Sequence, residues 1–153
     1  MSPATVLVGV DGIIAAVGSH LGYSDWLEIT QDRIDAFSEA TAFHQWIHDA
    51  SPAAMAGRFG QPIAQGDLTL SLSNYLLPQI LDVQGISAGV NYGTGKVRFP
   101  SPVPVGARLR AGAELVAADP IPGGVQTTIR ITIEVEGGDK PACVAEAISR
   151  YLA

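Results

Sequence analysis

The 153-residue chain predicts an α+β fold in which one long buried helix is wrapped by a curled antiparallel sheet. Three observations point there. Apolar residues recur at helical spacing through residues 10–83. They alternate with polar ones at strand spacing through residues 86–152. No charged residue stands between Asp67 and Asp82, and a helix that is apolar nearly all round belongs in an interior.

The elements follow in chain order. Ile13, Ile14, Val17 and Leu21 fall on one helical face, and Gly22 is placed to stop that helix. Trp26–Ile29 reads as a short strand. Thr30 then caps a helix over 31–41, with Ile34, Phe37 and Thr41 on one face. Phe43–Asp49 is a loop. Ser51–Pro52, a cap followed by a first-turn proline, opens a short helix ending near Gly57. Gly60–Gly66 is again loop. Leu68, Leu70, Leu72, Tyr75, Leu76, Leu77, Ile80, Leu81 and Val83 form the buried helix, which Pro78 kinks or ends. Four strands follow, near Ile86–Phe99, Arg108–Ala118, Val125–Val135 and Ala142–Leu152, separated by clusters of proline and glycine. Ile129, Ile131, Ile133 and Val135 alternate with Arg130, Thr132 and Glu134, which marks a sheet with one buried face. Short turns between long strands imply an antiparallel meander. No linker separates the helical half from the strand half, so residues 1–153 read as a single domain.

Composition narrows the function. Hydrophobic residues make up 47% and charged residues 16%, which excludes a disordered chain. Nine basic against 15 acidic residues give a net charge of −6, which repels a phosphate backbone, so nucleic acid is not an expected partner. The one cysteine, Cys143, can form no intrachain disulfide and no cysteine cluster for zinc, and no metal or cofactor is expected. Met1–Val10 lacks the charged start and long apolar run of a signal peptide, and no stretch reaches the roughly 20 apolar residues that span a bilayer. A cytoplasmic protein that does not enter membranes is the expectation.

Four blocks carry more specific information. Phe37-Ser38-Glu39-Ala40-Thr41-Ala42-Phe43-His44-Gln45-Trp46-Ile47-His48 resembles the hydratase motif of MaoC-like dehydratases, the (R)-specific enoyl-thioester hydratases. Residues 59–70 resemble the loop-to-helix segment that follows it. Asn91-Tyr92-Gly93 with Lys96–Gly106 resembles the next strand and turn, and Lys140–Glu146 resembles a C-terminal strand. The resemblance runs over nearly the whole chain in the family's order.

It implies the hot-dog fold and a homodimer with sites near the subunit interface. The implied substrates are acyl chains carried as thioesters on coenzyme A or acyl carrier protein. The family chemistry uses an Asp and a His five positions apart that hold one water between them, and a backbone N–H at the start of the central helix that stabilises the enolate oxygen. His48 matches the family histidine and Gly66 the glycine at the helix start. The acid's position is Phe43, preceded by Ala42 where the family has Gly. Gln65 stands where a His usually precedes the glycine, and Ala50 where a second Asp often lies. Phenylalanine can neither take a proton nor orient a water.

Each candidate has a functional and a structural reading. His48 is the acid–base group of the site, or a hydrogen-bonded structural histidine. Asp67 is a relocated acid opposite His48, or a carboxylate favoured near a helix N-terminus. Phe43 and Trp46 wall a substrate pocket with Gln65 and Asn91, or pack in the core. Lys96 and Arg98, with Arg108 and Arg110, meet the phosphates of a thioester carrier, or are solvated strand faces. Cys143 reads as a small buried hydrophobe. Two classes of function stay open. One is a hydratase or dehydratase, or a related lyase, isomerase or thioesterase, with a substituted acid, of the kind used in secondary metabolism. The other is a non-catalytic hot-dog subunit that binds an acyl thioester or pairs with a hydratase-like partner subunit.

Overall fold

The computed structural model describes residues 4–153, so Met1–Pro3 of the N-terminal reading lie outside the described residues. Strand β1 (Thr5–Val8) leads into helix α1 (Gly9–Ala15), and strands β2 (His20–Tyr23) and β3 (Leu27–Glu28) follow. Helix α2 (Gln31–Thr41) begins at Thr30, whose side chain accepts from the Arg33 N–H at 3.2 Å. Helix α3 (Pro52–Ala56) begins at Ser51, whose hydroxyl accepts from the Ala54 N–H. Both caps stand where the sequence places them.

The central helical segment comprises α4 (Gly66–Ser71), α5 (Ser73–Leu76) and a 3₁₀ turn over Leu77–Gln79. It is less regular than one continuous helix, and it tightens where Pro78 removes a backbone donor. Leu68, Leu72, Leu76 and Ile80 recur every four residues along it and are all buried. Leu81 and Val83, read from sequence as helical, belong instead to strand β4 (Leu81–Gln84). That strand pairs in parallel with β1, from Thr5 opposite Leu81 to Val8 opposite Gln84.

The main sheet has six strands. It adds β5 (Ala88–Arg98), β6 (Arg108–Ile121), β7 (Gly124–Val135) and β8 (Cys143–Leu152), in spatial order β2-β6-β7-β8-β5, with β3 also on β6. The β6–β7 register sorts the two faces. Ala111 opposes Ile133, Ala113 opposes Ile131 and Leu115 opposes Ile129, and all six are buried against the central helix. Between them Arg110 opposes Glu134 and Glu114 opposes Arg130 on the outer face.

The sequence expectation fails at two further places. The helix drawn through Leu21 ends at Ala15, because the sheet captures the following residues. Gly18 donates to the Leu115 carbonyl and the Leu115 N–H to Ser19, which makes 20–23 an edge strand. The simple meander also fails, since β5 pairs with β8 and not with β6. Of the four long strands, only β6, β7 and β8 follow one another through short turns. The connection over 99–107, rich in proline, carries the chain from one side of the sheet to the other.

No helix among the described residues is long and apolar enough to cross a membrane.

Candidate active site

A cleft of about 380 Å³ opens where α2, the loop after it, the start of α4 and the end of β5 meet. Each wall has a local cause. Phe37 and Thr41, four positions apart, share one face of α2, while Ile34 and Ser38 turn inward and are buried. The helix ends at Ala42, whose φ of 55° and ψ of 23° are left-handed. It is the one non-glycine among the described residues with positive φ. That turn redirects the chain and leaves Phe43 on the cleft wall with 54% of its surface exposed.

The chain then tightens into a 3₁₀ turn over Trp46–His48. His48 is 7% exposed and borders the cleft. Its backbone is held from both sides: its N–H donates to Gln45 at 3.0 Å, and its carbonyl accepts from Gln31 Nε2 at 2.9 Å. Its ring Nδ1 lies 2.7 Å from the Ile63 carbonyl oxygen. A carbonyl only accepts, so Nδ1 carries the hydrogen, and the neutral ring presents its lone pair at Nε2. Nε2 makes no protein hydrogen bond among the described residues.

Ile63 is itself fixed. Its N–H donates to Ile47 at 2.9 Å, and the flanking Ala64 and Pro62 bond to Val103 and Val105. This strand-like run delivers Gln65 and Gly66 to the cleft floor. Gln65 is 5% exposed, and its Nε2 donates to the Ile34 carbonyl at 3.0 Å and to Ser38 Oγ at 2.8 Å. Its Oε1 is buried without a partner. Gly66 lies against the ring of Phe99, where an added Cβ would come within 3.2 Å of ring carbons. Asp67 stands in the first turn of α4, exposed, and borders the same cleft. No ion pair or side-chain hydrogen bond among the described residues joins it to His48.

The structure therefore gathers His48, Gln65, Gly66, Asp67 and Phe43 at one cleft and leaves other candidates elsewhere. Trp46 packs its ring over Gly57, away from the cleft. Asn91 lies on β5 eight residues before Phe99, about 25 Å away along an extended strand. It borders a second cleft of about 580 Å³ between the central helix, β5 and β8. Lys96 and Arg98 are exposed on β5, beside Phe99 but outside the cleft lining.

The cation cluster read from sequence divides, because β6 and β5 stand on opposite sides of β7 and β8. Arg108 pairs with Glu136 at 3.0 Å. Arg110 pairs with Glu134 and sits 4.4 Å from the ring centre of Tyr23 and 4.7 Å from that of Trp26. Both arginines are engaged within the outer face of the sheet.

Asp49, next to His48, turns away to cap the following turn. Hydrogen bonds from the Ser51 hydroxyl and then the Ser51 N–H hold its carboxyl below the usual range. Cys143 is buried, and burial raises its thiol to about 11. No group of His, Cys, Asp and Glu among the described residues is arranged to hold a metal ion.

Sequence reasoning missed Phe37, Thr41 and Phe99 as cleft residues. The shared helical face of Phe37 and Thr41 was visible, but not that it borders an opening. Phe99 needed the strand order, which brings the end of β5 over Gly66.

Comparison with known proteins fits this geometry. Residues 13–137 match the model of the MaoC-like domain, and the chain belongs to that family. A relative named 3-hydroxyacyl-thioester dehydratase Z, from Mycobacterium tuberculosis, is 50% identical over 145 residues, covering 94% of this chain and 96% of its own. Nodulation protein N of Rhizobium leguminosarum is 38% identical over 140 residues, covering 87% and 84%. Among solved structures, a monoamine oxidase regulatory protein of Archaeoglobus superposes with a TM-score of 0.77 at 24% identity, covering 99% of this chain and 97% of that one. That likeness speaks for the hot-dog fold alone.

Proposed function

We propose that this protein is a lyase that hydrates enoyl thioesters or dehydrates the matching 3-hydroxyacyl thioesters, with His48 as its proton-transferring group. One observation carries the reading: the Ile63 carbonyl holds the ring of His48 at Nδ1 and leaves Nε2 without a protein partner among the described residues, and His48 borders a cleft that Phe37, Phe43 and Phe99 also line. Family membership and the name of the 50% identical relative support the same class.

In the hydration direction, Nε2 takes a proton from water as the water oxygen bonds to Cβ. The π electron pair passes to the thioester carbonyl oxygen, and Cα then takes a proton. The Gly66 N–H is assigned to the developing oxyanion. Asp67, the carboxylate of the cleft, is assigned as the second proton-transfer group in the role that Phe43 cannot fill. Coenzyme A or acyl carrier protein would carry the acyl group, with Lys96 and Arg98 near its phosphates. A homodimer is the assembly we assign, on the family resemblance.

The test follows the absorbance of crotonyl-coenzyme A mixed with the protein. Loss of the enoyl signal and formation of 3-hydroxybutyryl-coenzyme A is the expected result, with Asp67→Asn slower by about 100-fold or more. No conversion in either direction would overturn the lyase reading. Full activity in Asp67→Asn would remove Asp67 from it.

A further inference from the structure

We propose that the buried Oε1 of Gln65 is the acceptor for the 3-hydroxyl group of the substrate, and that this atom makes the site selective for 3-hydroxyacyl thioesters over acyl thioesters lacking the hydroxyl. The inference rests on the thioester reading of the cleft and adds the group that recognises the reacting oxygen.

The orientation of the Gln65 amide is forced. The Ile34 carbonyl can only accept, so the amide nitrogen must face it, and the 3.0 Å contact identifies that side as Nε2. A second bond at 2.8 Å to Ser38 Oγ fills the other nitrogen hydrogen. Oε1 is thereby left on the side of the amide away from α2. It is the one buried side-chain oxygen or nitrogen among the described residues without a partner. A buried acceptor left unpaired is costly, and such an atom calls for a donor. The residue borders the same cleft as His48 and directly precedes Gly66.

The donor that fits is a neutral hydroxyl. Oε1 carries no charge to attract a cation and no proton to give an acceptor. A 3-hydroxyl that donates its hydrogen to Oε1 keeps its lone pairs free to take a proton as the Cβ–O bond breaks. In the reverse direction the attacking water gives one hydrogen to Oε1 as a hydrogen bond and the other to His48 Nε2 as a proton. No proton moves to Gln65: His48 takes one from the water, and Cα receives one from the second proton-transfer group, assigned above to Asp67.

Isothermal titration with (R)-3-hydroxybutyryl-coenzyme A and with butyryl-coenzyme A measures this directly. Wild-type protein should bind the hydroxylated ester roughly tenfold more tightly, the upper range for one neutral hydrogen bond. Gln65→Leu should bring that ratio near one. Loss of the tether to α2 alone would weaken both ligands together and leave the ratio unmoved, so the ratio separates recognition from a structural role. Equal binding of both esters by the wild type, or an unchanged ratio in Gln65→Leu, overturns the proposal. The wild-type ratio decides alone if Gln65→Leu does not fold. Binding of neither ester would instead overturn the thioester reading beneath it.

Discussion

A backbone carbonyl decides which nitrogen of His48 is basic, and a left-handed turn residue, Ala42, leads the chain to Phe43 on the same cleft. Ala42 holds a left-handed conformation that costs an L-residue about 1–2 kcal/mol, while glycine in its place would lose about 0.5–1 kcal/mol of extra chain entropy. Ala42→Gly should therefore stabilise the protein by about 0.5–1 kcal/mol, read as a higher urea midpoint at unchanged slope. Cys143 gives a second expectation. Its thiol titrates near 11, so it stays protonated at neutral pH and its thiolate grows only as the pH approaches that value. Iodoacetamide should leave the native protein unmodified at pH 7.5 and label it after unfolding. At this scale the sequence was most informative where a short motif fixes the spacing, as for His48 and Gly66. It named Gln65 as a pocket residue but not its unpaired oxygen, which exists only relative to Ile34 and Ser38, some 30 positions earlier.

Among the elements, α2 does the most for the cleft. It carries Phe37 and Thr41 on the wall and presents Ile34 and Ser38 to Gln65. Its start depends on Thr30, so Thr30→Ala should cost about 1 kcal/mol in thermal or urea unfolding. The cap and end of α2 were legible because capping chemistry is local. The four long strands were legible through their period of two, to within a few residues at each end. The short early elements were not. Leu21 fits a helical face as well as a strand, and only its neighbours on β6 settle which. Leu81 and Val83 continued the apolar run of the central helix, but β1 recruits them from 76 positions away.

At the scale of the molecule, one stripe joins the two halves: Leu68, Leu72, Leu76 and Ile80 against Ala111, Ala113, Ile129, Ile131 and Ile133. Both sides were visible in the sequence as patterns, which is why the fold class could be read there. The strand order was not, because nothing local says that β5 crosses to β8. Leu76→Ala would open a cavity in this fully buried stripe and should cost about 2–5 kcal/mol. The same packing sets α4 against the sheet and so brings Gln65, Gly66 and Asp67 to the cleft that His48 also borders. The central claim, that His48 performs the proton transfer at this cleft, is tested most directly by the hydration rate of crotonyl-coenzyme A in wild-type protein and in folded His48→Ala. The expected result is a fall of about 10²–10⁴-fold with the melting temperature little changed. A His48→Ala protein that hydrates at the wild-type rate would contradict it.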